Sequence, residues 1–157
     1  MTNNDILRRI RYSFDLDDSK VIAIFGLGDW QVNRAQISDW LKQDSDEAFA
    51  PLSDEGLAAF LNGLIIDRRG KREGAAPAAE KRLNNNQIFL KLKIALELQA
   101  VAVLDLMSQG GLKVSKHELS AFFRKPGHKH YRECKDQALR AFLKGLQIQY
   151  RGEEISD

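Results

Sequence analysis

The sequence predicts an all-α protein of about eight helices, built as two tandem copies of one four-helix unit. Three observations predict this. Shifted by 82 positions, the stretch Asn3 to Gly70 falls on Asn85 to Gly152 without a gap, and 18 of the 68 paired residues are identical. Chance similarity between two helical stretches does not produce an ungapped register of that length. Proline is scarce, three in 157 residues, whereas a sandwich or barrel needs many turns. Apolar residues also recur at helical spacing, in the same places in both copies.

The first helix is expected from Asn4 to about Leu16 and from Asn86 to about Leu98, with asparagine as the cap that takes an orphan backbone N–H. Ile6, Ile10 and Phe14 form its stripe, matched by Ile88, Leu92 and Leu96. From Ile88 to Leu98 the apolar residues also alternate with period two, as in a strand. Leu, Lys, Ala and Glu are strong helix formers and β-branched residues are few, which favours helix. The second helix runs from about Asp18 to Gly28, with Val21, Ile22 and Phe25 facing inward, answered by Val103, Leu104 and Met107. Gly28 and its counterpart Gly110 read as left-handed C-caps.

The third helix opens on a capping box, Asn33 with Gln36 and Ser115 with Glu118. Ile37, Trp40 and Leu41 then point inward, as do Leu119, Phe122 and Phe123. The fourth spans about Ser53–Arg69 and Lys135–Arg151. Its stripes are Leu57, Phe60, Leu61, Leu64 and Leu139, Phe142, Leu143, Leu146, and Gly70 and Gly152 stop it. Gly63 and Gly145 share one interior position of this helix, where glycine costs about 1 kcal/mol relative to alanine. Their presence in both copies predicts a close helix–helix approach, with the two fourth helices, or a fourth and a first, crossing there.

The repeats are therefore placed at residues 1–70 and 84–157. Between them residues 71–83, KREGAAPAAEKRL, have almost nothing to bury and contain Gly74 and Pro77; they read as an exposed, partly mobile linker. Apolar residues make up 43% of the chain and charged residues 29%, the balance of an ordinary globular protein. The single cysteine, Cys134, excludes an internal disulfide and suits a reducing compartment. The N-terminus lacks the apolar core of a signal peptide, and no apolar run is long enough to span a bilayer. A cytoplasmic protein with no membrane partner is expected. Residues 1–75 carry ten Lys and Arg against thirteen Asp and Glu, while residues 76–157 carry fourteen against nine. That asymmetry points to a basic working surface on the second copy, or to head-to-tail self-contact.

Four stretches, NNDILRRIRY, FLNGLIIDRRG, RLNNNQIFLKLKIAL and HKHYRECKDQALRAFLKGL, resemble the YehS-like proteins, a bacterial family of unknown function. The resemblance covers nearly the whole chain. It implies a small bacterial cytosolic protein made of two copies of one domain, and it implies no activity and no functional residues.

Candidate chemistry is sparse. His117, His128, His130 and Cys134 are the residue types that zinc takes, and zinc takes four. They align with Ala35, Asp46, Ala48 and Leu52, and their spacing matches no standard structural zinc pattern. No metal site, cofactor or catalytic residue is therefore expected, and Cys134 reads as a small buried apolar residue. Asp15, Asp17 and Asp18 sit at a helix junction, where capping explains them. Asp44, Asp46 and Glu47 have no acidic counterparts in the second copy. The second and third helices, joined by about four residues, have the order of a helix-turn-helix. Around the third helix of the second copy cluster Lys113, Lys116, His117, Arg124, Lys125, Lys129 and the two following histidines, His128 and His130, with Tyr131 beside them. On the equivalent surface the first copy carries Asp39, Asp44, Asp46 and Glu47. The reading is a non-enzymatic protein-interaction or regulatory module, its partner a protein or a second copy of itself, with Lys113, Lys116, Arg124, Lys125, His128, His130 and Tyr131 as the contact face. The alternative is a nucleic-acid-binding protein that uses the same basic surface.

Overall fold

A computed structural model describes residues 1–71 and 77–152. Among them are eight helices and no strand: α1 (Asn3–Ser13), α2 (Asp18–Leu27), α3 (Arg34–Leu41), α4 (Asp54–Arg69), α5 (Asn85–Ala95), α6 (Ala100–Gln109), α7 (Lys116–Phe122) and α8 (Asp136–Arg151). The chain divides into two units, Met1–Leu83 and Asn84–Asp157. Residues 72–76, with Gly74, and 153–157 lie outside the described residues, so the expected linker is described only at Lys71 and from Pro77 onward.

Each unit is the same four-helix arrangement. The segment with ambiguous periodicity is helix α5, which buries Ile88, Phe89, Leu92 and Ala95 and leaves Leu90 exposed. Helical spacing thus sorts its apolar residues into one buried face, and the strand alternation carries no weight. In the first unit the core gathers around Phe25, whose ring lies 5.4 Å from Trp40 and 5.0 Å from Phe60. In the second, Phe89 holds the centre, 4.6 Å from Phe142 and 5.1 Å from Phe123. Ring pairs at these separations add about 0.5–1.5 kcal/mol each beyond their burial.

Several ends differ from expectation, each for a local reason. The caps of α1 and α5 are Thr2 and Asn84, each closing a capping box with the third helical residue. Both helices stop three residues before the expected ends at Leu16 and Leu98, because Asp15 and Glu97 adopt left-handed φ values of 53°. The turn is closed by Leu16 N donating to Arg11 O at 2.9 Å and Leu98 N donating to Lys93 O at 3.0 Å, the bonding of a Schellman end. The inward residues of α2 and α6 shift accordingly: Ile24 and Leu106 are buried, whereas Ile22 and Leu104 are only half-buried.

Gly28 and Gly110 are not left-handed caps. Their φ values are −88° and −78°, and the left-handed residues are Asp29 and Gly111, one position later. Glycine stands at 28 and 110 because a Cβ there would meet Ala59 O at 2.0 Å and Ala141 O at 1.8 Å. Gly63 and Gly145 do mark a close approach, but their partner is the second helix of the same unit. A Cβ on Gly63 would lie 1.8 Å from Ile24 O, and one on Gly145 would lie 1.9 Å from Leu106 O. In each unit, therefore, the second and fourth helices touch backbone to backbone at two places. Gly70 and Gly152 end α4 and α8 as expected, with φ values of 87° and 71°.

Candidate functional site

The basic surface of the second unit is built on α7 and the loop that follows. Ser115 caps α7: its Oγ accepts from Glu118 N and its own N–H donates to Glu118 Oε1, both at 3.0 Å. The Ser115 backbone N–H, and then its side chain, hold the Glu118 carboxyl below the usual carboxylate range. After Phe122 the chain loops out and returns to α8. Asn86, near the start of α5, pins both ends of that loop. Its Nδ2 donates to Phe122 O at 3.0 Å and Arg132 O at 2.8 Å, and its Oδ1 accepts from Cys134 N at 2.9 Å. Asn85 adds bonds to Cys134 O at 3.0 Å and Asp136 Oδ1 at 2.8 Å. Asn3 and Asn4 make the same set of bonds in the first unit, Asn4 to Trp40 O, Ala50 O and Leu52 N. The paired asparagines that recur in the sequence are thus loop clamps rather than caps.

The pinned loop closes one side of an open groove of about 560 Å³, lined by Lys93, Ala100, Lys116, Leu119, Ser120, Phe123, Arg124, Lys125 and His128. Its floor is apolar, from Leu119, Phe123 and Ala100, and its rim is cationic. Lys93 reaches over the Phe123 ring, its Nζ 5.5 Å from the centroid. Of the residues expected on the contact face, Lys116, Arg124, Lys125 and His128 line this groove. Lys113, His130 and Tyr131 do not, although the His130 ring stands 5.6 Å from that of His128 and 6.4 Å from that of His117. Lys93 and Ala100 also line the groove and lie outside the stretch around the third helix. In the repeat they replace Arg11 and Asp18.

Between the C-cap of α6, Gly110, and the N-cap of α7, Ser115, lie the four residues expected, 111–114, and α7 has only seven residues. Cys134 is buried as Leu52 is, with Sγ 3.7 Å from Lys135 O. Burial, and next the neighbouring Asp136 carboxylate, push its thiol up to about 12. Against the ordinary value of 9.0, that leaves on the order of 10³-fold less thiolate at neutral pH. Iodoacetamide is therefore expected to leave Cys134 unmodified in the folded protein and to alkylate it in urea, as read by intact mass. Rapid alkylation without urea would show that the residue is exposed. Among the described residues no group of three or more His, Cys, Asp and Glu side chains is arranged to hold a metal ion, and no helix is long and apolar enough to cross a membrane.

Comparison with known proteins accords with this duplicated architecture. No solved structure matches the chain. The uncharacterized protein YehS of Escherichia coli (strain K12) is 42% identical over 147 residues, which cover 93% of this chain and 94% of that protein. A family model described as a protein of unknown function, DUF1456, matches twice, over residues 3–70 and 85–152, the same two stretches that the internal repeat defines. The chain belongs to the DUF1456 family, carrying two copies of its domain.

Proposed function

We propose that the protein is a non-enzymatic protein-interaction module of the cytoplasm whose second repeat carries the contact face. One observation supports this reading above the others: the groove beside α7 combines an apolar floor with a cationic rim, part of it on a loop pinned at both ends by Asn86. A floor that gains from burial and a rim that selects charge are the two requirements of a specific peptide site. Its test is peptide display against the full chain. Selected peptides are expected to bind the triple variant K116A/R124A/K125A at least tenfold more weakly than the native protein. Failure to select any peptide, or binding indifferent to the triple variant, would overturn the reading.

A second reading, nucleic-acid binding, is favoured by the exposed Lys113, Lys116, Arg124, Lys125 and Lys129 on α7 and the loops on either side of it. Labelled duplex DNA binding with a salt slope of about −0.9 per phosphate contacted would put this reading first.

A further inference from the structure

The two copies differ at the groove in a way that identifies its occupant. In the first unit the equivalent cations are neutralised from within. Asp18 lies 3.5 Å from both Arg11 and Arg34, and Asp39 lies 2.6 Å from Lys42. In the second unit the three cations persist as Lys93, Lys116 and Arg124, but both carboxylates are gone, replaced by Ala100 and Ala121. Among the described residues, no carboxylate stands within ion-pair distance of Lys93, Lys116 or Arg124. A third difference has the same sign: His128 occupies the place of Asp46.

Resting on the interaction-module reading, we infer that the groove of the second repeat takes an acidic, amphipathic peptide segment of a partner protein, whose carboxylates occupy the places that Asp18 and Asp39 fill in the first repeat. The apolar floor, through the half-buried Phe123 and Ala100, takes the segment's hydrophobic side chains, which a bare polyanion does not supply. The removal of exactly those side chains that would compete for the cations leaves a preformed anion site on an unchanged scaffold. The first repeat, closed by its own carboxylates, does not bind the same segment.

The test restores what the second repeat lacks. Ala100→Asp returns the carboxylate that bridges two cations in the first repeat, and Ala100→Asn matches it in size without the charge. Ala121→Asp does the same for Arg124. The probe is a fluorescein-labelled synthetic peptide of alternating Glu and Leu, read by anisotropy on the full chain. It is compared with its Gln-for-Glu version, with oligoglutamate of equal charge and with labelled duplex DNA. The Glu–Leu peptide is expected to bind at least tenfold more tightly than either peptide control. A100D and A121D are each expected to weaken it at least tenfold, and A100N to leave it within twofold.

Equal binding of the Gln version, or no loss in A100D and A121D, overturns the inference. If displayed peptides still lose binding in K116A/R124A/K125A, the interaction module itself survives that failure. Duplex DNA binding more tightly than the peptide overturns both. Self-association of the native chain that A100D abolishes overturns the partner assignment in favour of a second copy.

Discussion

Gly145→Ala is expected to destabilise the second unit by about 3 kcal/mol or more, with leucine worse. Helix propensity by itself predicts the opposite sign, a gain of about 1 kcal/mol, because Gly145 lies inside α8. Geometry decides against propensity. The new Cβ would stand 1.9 Å from Leu106 O and 2.6 Å from its carbonyl carbon, atoms that belong to the backbone of α6 and have no rotamer to escape through. The two helices must separate, and the neighbouring contact of Gly110 with Ala141 O opens with them. For a unit of this size each kcal/mol lowers Tm by about 4–8 °C, so a fall of more than about 12 °C is expected in calorimetry. An unchanged or raised Tm would show that α6 and α8 do not meet at Gly145. Gly63→Ala is the matching change in the first unit, against Ile24 O.

Asn86→Ala should come second, at about 2–4 kcal/mol. Asn86 is 7% exposed and satisfies two carbonyls and one N–H with one side chain. Alanine fills the space poorly and leaves those groups to find partners of their own, at about 1–3 kcal/mol for each that stays buried and unsatisfied. Asn86→Asp tests the donors specifically. A carboxylate still accepts from Cys134 N, but it has nothing to donate to Phe122 O and Arg132 O, so the loss should be at least as large. Amide hydrogen exchange gives a local reading: the Cys134 N–H should lose protection first, as the loop carrying Arg124 to Arg132 is released. A variant in which only α5 frays, with the loop unchanged, would mean that the asparagine acts as a helix cap and not as a clamp.

Much of the fold was legible because it depends on short-range pattern. The stripe Leu139, Phe142, Leu143, Leu146 and its copy at Leu57 are the buried face of the fourth helix, and the two alignments agree position by position. The misreadings share a cause: a residue whose local signal is strong but whose role is set by atoms distant in sequence. Gly28 looks like a cap because it follows an apolar run, yet Ala59 O, in another helix, is what requires it. Asn4 looks like a cap because asparagine caps helices, yet its partners are Trp40, Ala50 and Leu52. The groove was half legible for the same reason. Lys116, Arg124, Lys125 and His128 cluster within a short stretch, whereas Lys93 and Ala100 reach it from α5 and α6. A comparison of the copies for charges lost as well as gained points to Ala100, which stands in place of Asp18, whereas Lys93 keeps the charge of Arg11 and leaves no such signal.

The glycine joints of α2 with α4 and of α6 with α8 also bear on how a duplicated gene diverges. A carbonyl oxygen is the same whatever side chain its residue carries, so the docking of these helices depends on a missing atom as well as on matched core side chains such as Phe25 and Phe60. The outer faces then carry less of the work of holding the helices together. One copy can exchange an aspartate for an alanine, or an aspartate for a histidine, without disturbing the joint beneath. Gene duplication in such a scaffold supplies a spare surface, on which new recognition can be tried while the old one is kept.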